Sequence, residues 1–313
     1  MTTSTQPQLS IIIINYNTKQ LTSDCIRSIK EKTKDLRYEI IVVDNASRDG
    51  SVPFLKQRFP DLLLIESPEN LGFGRANNLA ADIARADTLL LLNSDTIIID
   101  NSIKTLYDHL QTHPQTGVCG GLLLNEDGTV GYSSSPQLTL THYLRSYLPP
   151  LFHPSPVETR LSRATDVGYI IGADMMMKKE AFEKAGRFDP DFFLYFEESE
   201  LSYRIKQKNY RIQLLPSARI IHLGGMSGNT QKETAAFIQE EQWYSRFLYF
   251  HKVYSPRHPY YVYLLHLLIG TAKITFRPTK RKEWTNRLMH MRKAYKRYIN
   301  YRNRQSPPPQ KPT

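Results

Sequence analysis

Cysteine is nearly absent: Cys25 and Cys119 are the two in 313 residues. They lie far apart with no metal or redox spacing, which excludes a disulfide scaffold, a thiolate zinc site and a Cys-x-x-Cys centre. Both are expected as small buried apolar residues in a reducing compartment. No long apolar run opens the chain, since Met1 to Gln8 is polar and Leu9 to Ile14 has only the length of a strand. A secretory leader is therefore not expected, and a cytoplasmic location is. Self-similarity at a period of roughly 20–50 residues is missing too, which excludes solenoids and propellers. Acid is scarce at the C-terminal end. From His251 onward 15 Lys and Arg face one acid, Glu283, whereas 26 basic and 29 acidic side chains precede it. The net charge of +11 thus belongs wholly to the last part, and a composition break is placed near residue 250.

What is present alternates. Leu9 to Ile14 and Tyr38 to Val43 are continuous, β-branched apolar runs, the pattern of strands buried on both faces. Leu62 to Glu66 and Thr88 to Leu92 are two further strand candidates, and Arg211 to Leu215 a later one. Helical spacing follows the first run at Leu21, Cys25 and Ile29, and an Ala-rich helix is expected over Arg75 to Ala86. Strands alternating with helices of this length predict a Rossmann-like α/β domain with a mainly parallel sheet. Ligands of such sheets bind at the carboxyl ends of the strands. The polar clusters of this chain all follow strands.

Asn15 and Tyr16 open the turn after the first strand. Asp44 ends the second, placed either to accept hydrogen bonds from a ribose or base or to cap its own turn. In the loop Asn70-Leu71-Gly72-Phe73-Gly74-Arg75-Ala76-Asn77-Asn78, two glycines precede a helix start. Backbone N–H groups and Arg75 there suit a diphosphate, although the G-x-G-x-x-G fingerprint is not met. Asn93-Ser94-Asp95 follows the run LLLL and could hold a hard divalent cation, Mg²⁺ or Mn²⁺, or simply form a turn. Gly172-Ala173-Asp174 precedes three methionines, and an aromatic run leads into Glu197-Glu198. A helix is expected from Glu197 to Lys208 with Asn209 as its cap. Its first-turn carboxylates answer either to the helix dipole or to a need for a general base. His222, between a strand and two glycines, has room to face a metal-bound phosphate or to be structural.

In their order, these pieces resemble the inverting family 2 glycosyltransferases of GT-A fold, in particular the rhamnosyltransferase-like branch. The matching segments are SIIIINYN (10–17), IIVVDNASRDGS (40–51), NLGFGRANN (70–78) and LLLLNSDT (89–96). They continue with IIGADMMMKKEAFEKAGRFDPDFFLYFEESELSYR (170–204) and ARIIHLGG (218–225). The resemblance implies that Asp44 reads the nucleotide, that Asn70, Gly72, Arg75 and Asn78 line the donor, and that Asp95 is the last acid of the family's D-x-D metal motif. Asn93 stands at that motif's first position. It further implies that His222 helps hold the metal and that Glu198, or its neighbour Glu197, is the catalytic base. Gly172, Ala173 and Asp174 are expected on the acceptor side. The implied reaction moves a sugar, L-rhamnose from dTDP-rhamnose in the branch it is most similar to or a UDP-sugar otherwise, to a hydroxyl of a glycan or lipid-linked glycan in bacterial surface polysaccharide synthesis.

The expected organisation is a catalytic domain over 1–250, a basic amphipathic helical extension over 251–304 and a disordered tail over 305–313. Tyr260 to Phe276, interrupted by His266 and Lys273, falls short of the ~20 apolar residues a spanning helix needs, and is read as interfacial or buried. Arg277 to Arg304 interleaves cations with Trp284, Leu288, Met289, Tyr295, Tyr298 and Tyr301, the pattern of a helix lying on an anionic membrane at the inner face of the cell, with a protein partner or a plain solvated face as the other readings. Nucleic acid is not expected as a partner, because the basic tail leaves the strand-end acids unexplained. A non-catalytic sugar-nucleotide-binding protein of the same fold is the alternative, with Asn93 as its support.

Overall fold

The computed structural model describes residues 6–145, 163–224 and 232–305. They divide into two compact units. One holds the described residues up to Pro190 and those from 201 to 224; the other holds Asp191–Glu200 and the helices from Lys232 onward.

The first unit is built on the expected alternation. Strands β1 (Leu9–Asn15) and β2 (Tyr38–Asp44) flank helix α1 (Lys19–Lys32), and α2 (Ser51–Arg58), β3 (Leu63–Glu66), α3 (Gly72–Ile83) and β4 (Thr88–Asn93) follow. The four strands are parallel neighbours in the order β3-β2-β1-β4. Both faces of β1 are covered, which is why its sequence is unbroken apolar rather than alternating. Leu9, Ile11 and Ile13 share one core with Cys25, Ile26 and Ile29 of α1, while Ile12 joins Ala76, Ala80 and Ala81 of α3 on the other face. Fully burying each such aliphatic side chain contributes roughly 1.5–3 kcal/mol.

Beyond β4 the chain adds β5 (Thr96–Ile98), α4 (Ser102–Thr112), β6 (Thr116–Leu124), the short β7 (Ser134–Ser135), α5 (Leu140–Arg145), β8 (Thr165–Asp166) and β9 (Tyr169–Ile170). Then come β10 (Asp174–Lys178), α6 (Lys179–Lys184), α7 (Glu197–Gln207) and β11 (Arg211–His222). Among the described residues the sheet runs β3-β2-β1-β4-β10-β6-β11-β5, with β8 on β11. β10, β5 and β8 oppose the rest, so the sheet is mixed but mostly parallel. The expected last strand stopped at Leu215. It instead runs on to His222, past Pro216, because a register shift between Leu215 and Arg219 accommodates a residue that cannot donate to the ladder. Helix α7 ends with Asn209 at φ 64°, Asn209 N–H donating to the Lys206 carbonyl and Tyr210 N–H to that of Ile205, a Schellman closure.

β6 and β10 have no counterpart in the expected strands. Gly120 and Gly121 lie in the middle of β6. A methyl on Gly121 would come within 2.7 Å of the Ala218 carbonyl oxygen and 3.1 Å of Asp174 Oδ2. Strand–strand proximity, not turn geometry, requires glycine here.

In the second unit, α8 (Lys232–Val253), α9 (His258–Phe276) and α10 (Arg281–Gln305) pack on one another. The expected break at 250 falls inside α8. Trp284, Leu288, Met291, Ala294 and Tyr298 form a buried stripe along α10, and Leu288 lies against Gly270 of α9. The apolar face expected to rest on a membrane is thus covered by protein; of its named residues Met289 is exposed. Gly225 and residues 306–313 lie outside the described residues.

Replacing Gly121 by alanine should lower stability by about 1–3 kcal/mol through overpacking, read as a lower urea midpoint at unchanged slope. An unchanged midpoint would mean that β6 and β11 can separate at no cost.

Candidate functional site at the carboxyl edge of the sheet

Parallel register sets Asn15 of β1 opposite Asp44 of β2. Asn15 Nδ2 donates to Asp44 Oδ1 at 2.6 Å and to Ser47 Oγ at 3.0 Å. Ser47 N–H donates to Asp44 Oδ2 at 2.9 Å. Asn15 Oδ1 accepts from Thr18 Oγ1 at 2.9 Å and Thr22 Oγ1 at 2.7 Å, and Thr18 Oγ1 also lies 3.1 Å from Ser94 Oγ. This network is closed to water: Asn15 is 0% and Asp44 2% exposed. Each Asp44 oxygen keeps a second lone pair for a ligand, but its first task is to fix the loops after β1 and β2. Tyr16, 43% exposed, is the side chain of this turn that reaches outward.

The glycine loop is held from within by a residue absent from the sequence-based set, Asn45. Its Oδ1 accepts the Leu71 N–H at 3.1 Å and its Nδ2 donates to the Gly72 carbonyl at 2.9 Å. Asn70 Oδ1 accepts the Gly72 N–H at 2.9 Å. Two N–H groups expected to cradle a diphosphate are therefore occupied by asparagines. Gly72, at φ 76°, meets a backbone demand, and Gly74 leaves room for Phe188, whose Cβ would lie 3.0 Å from an added methyl. Arg75 Nε donates to the Leu71 carbonyl at 2.8 Å, which fixes its half-buried guanidinium at the helix start. Asn78 grips the backbone of Phe188, donating to its carbonyl at 2.9 Å and accepting its N–H at 3.1 Å. Asn78 thereby clamps this turn through both ends of its amide.

At the next strand end, Asn93 N–H donates to the Ala173 carbonyl at 3.0 Å, and its own carbonyl accepts from Thr96 Oγ1 at 2.7 Å. β5 pairs with β11 so that Thr96 faces His222. In consequence His222 Nε2 lies 3.2 Å from Asp95 Oδ1, and Leu223 N–H donates to the Asp95 carbonyl at 2.9 Å. Among the described residues no three His, Cys, Asp or Glu converge as a metal-holding group. One carboxylate and one imidazole still fit a divalent ion of the Mg²⁺ or Mn²⁺ kind, which completes its shell with substrate oxygens and water. Cys25 lies 3.4 Å from Thr96 Oγ1, but burial pushes its thiol up to about 12, so it offers no thiolate.

Of the expected acceptor-side turn, Gly172 is half-buried against the Phe73 ring, 3.2 Å from where a methyl would stand. Ala173 and Asp174 are fully buried. Asp174 Oδ2 accepts the Gly121 N–H at 2.6 Å, and burial raises this carboxyl well above the usual range. Its side chain lies inside the sheet, between β10 and β6.

Glu197 and Glu198 open α7 after two residues in the left-handed region, Tyr195 at φ 71° and Phe196 at φ 68°. Consecutive aromatics in that region cost about 1–3 kcal/mol each, a strain concentrated at functional sites. Glu197 is 4% exposed, its Oε2 has no hydrogen-bond partner among the described residues, and burial together with the adjacent Glu198 carboxylate raises it well above the usual range. Glu198 is half-buried, and burial pushes it up to about 7 against the opposing pull of its backbone hydrogen bonds. Desolvation outweighs the helix dipole here.

The profile of "Glycosyl transferase family 2" matches residues 10–186, more than half of the chain. The chain belongs to this family. Its curated relatives include the N-acetylglucosaminyl-diphospho-decaprenol L-rhamnosyltransferase of Mycobacterium tuberculosis, 28% identical over 202 residues, covering 58% of this chain and 66% of the relative. Another is the low-salt glycan biosynthesis hexosyltransferase Agl10 of Haloferax volcanii, 28% identical over 218 residues, covering 68% and 66%. The family 2 chain thus spans just under two thirds of the length of these relatives. The fold is the GT-A fold. It is similar to the mannosyltransferase PcManGT of Pyrobaculum calidifontis in complex with GDP-Man and Mn²⁺ (TM-score 0.56, 16% identity, 95% of this chain and 88% of the other). It is also similar to GalNAc-T7 with UDP, GalNAc and Mn²⁺ (TM-score 0.55, 15% identity, 78% and 48%).

The strand-end residues Asn15, Asp44, Ser94 and Asp95 of this family 2 member do collect at one sheet edge. Thr18, Asn45 and Ser47, which stand next to strand ends, and Thr22 in the first turn of α1 complete the edge and carried no further sequence signal. Asn78→Ala should lower stability by about 1–3 kcal/mol by orphaning backbone groups of Phe188, while leaving nucleotide affinity within twofold by calorimetry. A selective loss of affinity with an unchanged unfolding midpoint would return Asn78 to the donor side.

Proposed function

We propose that this family 2 chain is an inverting glycosyltransferase that uses a nucleotide-diphosphate sugar. The observation that carries the reading is the Glu197–Glu198 pair: two adjacent carboxylates, one buried and the other half-buried and pushed up to about 7, which is where a general base for a hydroxyl works best. Glu198, the more exposed of the two, accepts the proton of the acceptor hydroxyl as its oxygen attacks the anomeric carbon. The bond between that carbon and the diphosphate oxygen breaks on the opposite face. A single displacement inverts the centre and releases a nucleoside diphosphate. Asp95 and His222 are the residues to hold a divalent cation, which would neutralise charge on the departing diphosphate. Arg75 adds positive charge for the same group, and Asp44, Asn15 and Tyr16 form the nucleotide end. The Mycobacterium relative, named for L-rhamnose transfer to a lipid-linked acceptor, supports L-rhamnose as the sugar and a lipid-linked glycan as acceptor; dTDP-rhamnose is the donor proposed, in the assembly of a bacterial surface polysaccharide. A non-catalytic sugar-nucleotide-binding protein is the second reading, favoured by Asn93 at a position where an acid would bind metal more tightly.

The acceptor reading invites a membrane surface, at the cytoplasmic side of the cell membrane. Among the described residues no helix is long and apolar enough to cross a membrane. α9, not α10, has the face to lie on one. Tyr261, Leu268, Ala272 and Phe276 follow one another at helical spacing and are exposed, Leu268 by 70% and Phe276 by 81%. Lys273, Arg277, Lys280, Arg281 and Lys282 follow, and no acid occurs between Glu241 and Glu283. Cations beside an anionic leaflet contribute about 1 kcal/mol each.

Titration with UDP, dTDP and GDP, with Mn²⁺, Mg²⁺ or EDTA, should show one diphosphate binding tightly, weakened at least tenfold by EDTA or Asp95→Ala. Glu198→Gln should lower kcat by about 10²–10⁴ with that affinity kept. Because the base works deprotonated, wild-type kcat/KM should fall tenfold per pH unit below about 7. Absence of binding to every diphosphate would sink the donor assignment; binding without turnover would favour the second reading.

Phosphatidylglycerol vesicles should sediment the protein and phosphatidylcholine vesicles should not, with release at high salt. Leu268→Glu with Phe276→Glu should abolish this at unchanged nucleotide affinity; retention would move the contact elsewhere.

A further inference from the structure

We infer that helix α8 positions the Glu197–Glu198 pair, with Arg246 as its principal positioning residue, an inference that rests on the base assignment above. The matched family region ends at residue 186, so neither the segment Asp191–Glu200 nor α8 lies in it. That segment is fastened along nearly its whole length by side chains of the second unit. Lys252 Nζ lies 2.6 Å from Asp191 Oδ2, and the Tyr301 hydroxyl donates to the same oxygen at 2.7 Å. The Phe193 ring meets Phe237 edge-on at 5.9 Å. Ser245 Oγ donates to the Leu194 carbonyl at 2.8 Å. The Tyr195 hydroxyl is hydrogen-bonded to the Gln242 side chain. Phe196 lies under the Arg246 guanidinium at 5.4 Å and 5.7 Å from the Tyr249 ring.

Gln242, Ser245, Arg246, Tyr249 and Lys252 share one face of α8 by their three-and-four spacing. The contacts are densest where the backbone is most strained, at Tyr195 and Phe196. Left-handed non-glycine residues persist only where their surroundings over-determine them, and α8 supplies that determination immediately before the two carboxylates. Arg246 is itself held: its guanidinium stacks on Trp243 at 4.6 Å, and Trp243 meets His266 edge-on at 4.3 Å. His266 is buried, and burial together with Arg246 and Arg287 pushes it down to about 3, so it remains a neutral wall for the cation. Besides the Tyr249 ring, this face of α8 uses a cation over an aromatic ring and hydroxyl or amide bonds to consecutive residues, directional contacts that fix orientation.

The test compares Arg246→Ala, Arg246→Lys and Ser245→Ala in the full chain. Arg246→Ala should lower kcat at least tenfold with acceptor KM and nucleoside-diphosphate Kd within twofold. Arg246→Lys, which keeps a cation over Phe196, should recover part of the loss. Ser245→Ala, which removes one hydroxyl, should lower kcat in the same sense and serves if Arg246→Ala does not fold. Carbon-13 carboxylate titration, with Glu198→Gln for assignment, reads the same pair without turnover: the Glu198 midpoint should move by half a unit or more in Arg246→Ala. Wild-type kcat and an unmoved midpoint in the variants would overturn the inference, as would losses proportional to the unfolded fraction. If wild type itself transfers no sugar, the functional reading fails while the carboxylate titration still decides whether α8 governs the pair.

Discussion

The bond from Asn15 to Asp44 is the constraint on which the sheet edge depends. Two parallel strands end in register, and their last residues are polar, buried and mutually hydrogen-bonded. A buried carboxylate is tolerated only where its hydrogen bonds are provided. Here the amide of Asn15 and the N–H of Ser47 provide them, and the far side of the Asn15 amide is satisfied by Thr18 and Thr22. Loosening either strand end would leave several groups unsatisfied at once, so the loops after β1, β2 and β4 are determined together.

The same economy governs the glycine loop. Asparagines 45 and 70 take up its backbone donors and acceptors, and Asn78 fastens the loop before α7. Rigidity comes from amide side chains bonded to main chain, which leaves Tyr16, Arg75, Asp95 with His222, and the two glutamates for the roles proposed above. A pre-organised edge of this kind loses little conformational freedom when a ligand arrives.

Much of this was legible. β1, β2 and β4 announced themselves as unbroken apolar runs because both faces are covered, and Asn209 marked the end of α7 because few other residues adopt φ 64° there. What stayed hidden shares a cause: the decisive neighbour is remote in sequence. Gly120-Gly121 lie in a strand because Asp174 and Ala218 press on them. Asp174 is inside because β10 inserts antiparallel between β4 and β6. α10 has an amphipathic pattern, but which partner its apolar stripe meets depends on α8 and α9. Periodicity reports that a face is apolar without saying what covers it.

The partners of the segment Asp191–Glu200 lie 51, 61 and 110 positions further along, at Ser245, Lys252 and Tyr301. A ribosome delivers residues in order, at about 5–20 per second, and domains settle as they emerge. The strand-end network of residues 15 to 95 can therefore close while the helices that fasten the two glutamates are still unmade. A nascent or prematurely terminated chain would hold its strand-end network in shape before its acidic pair is set, which orders the two in time.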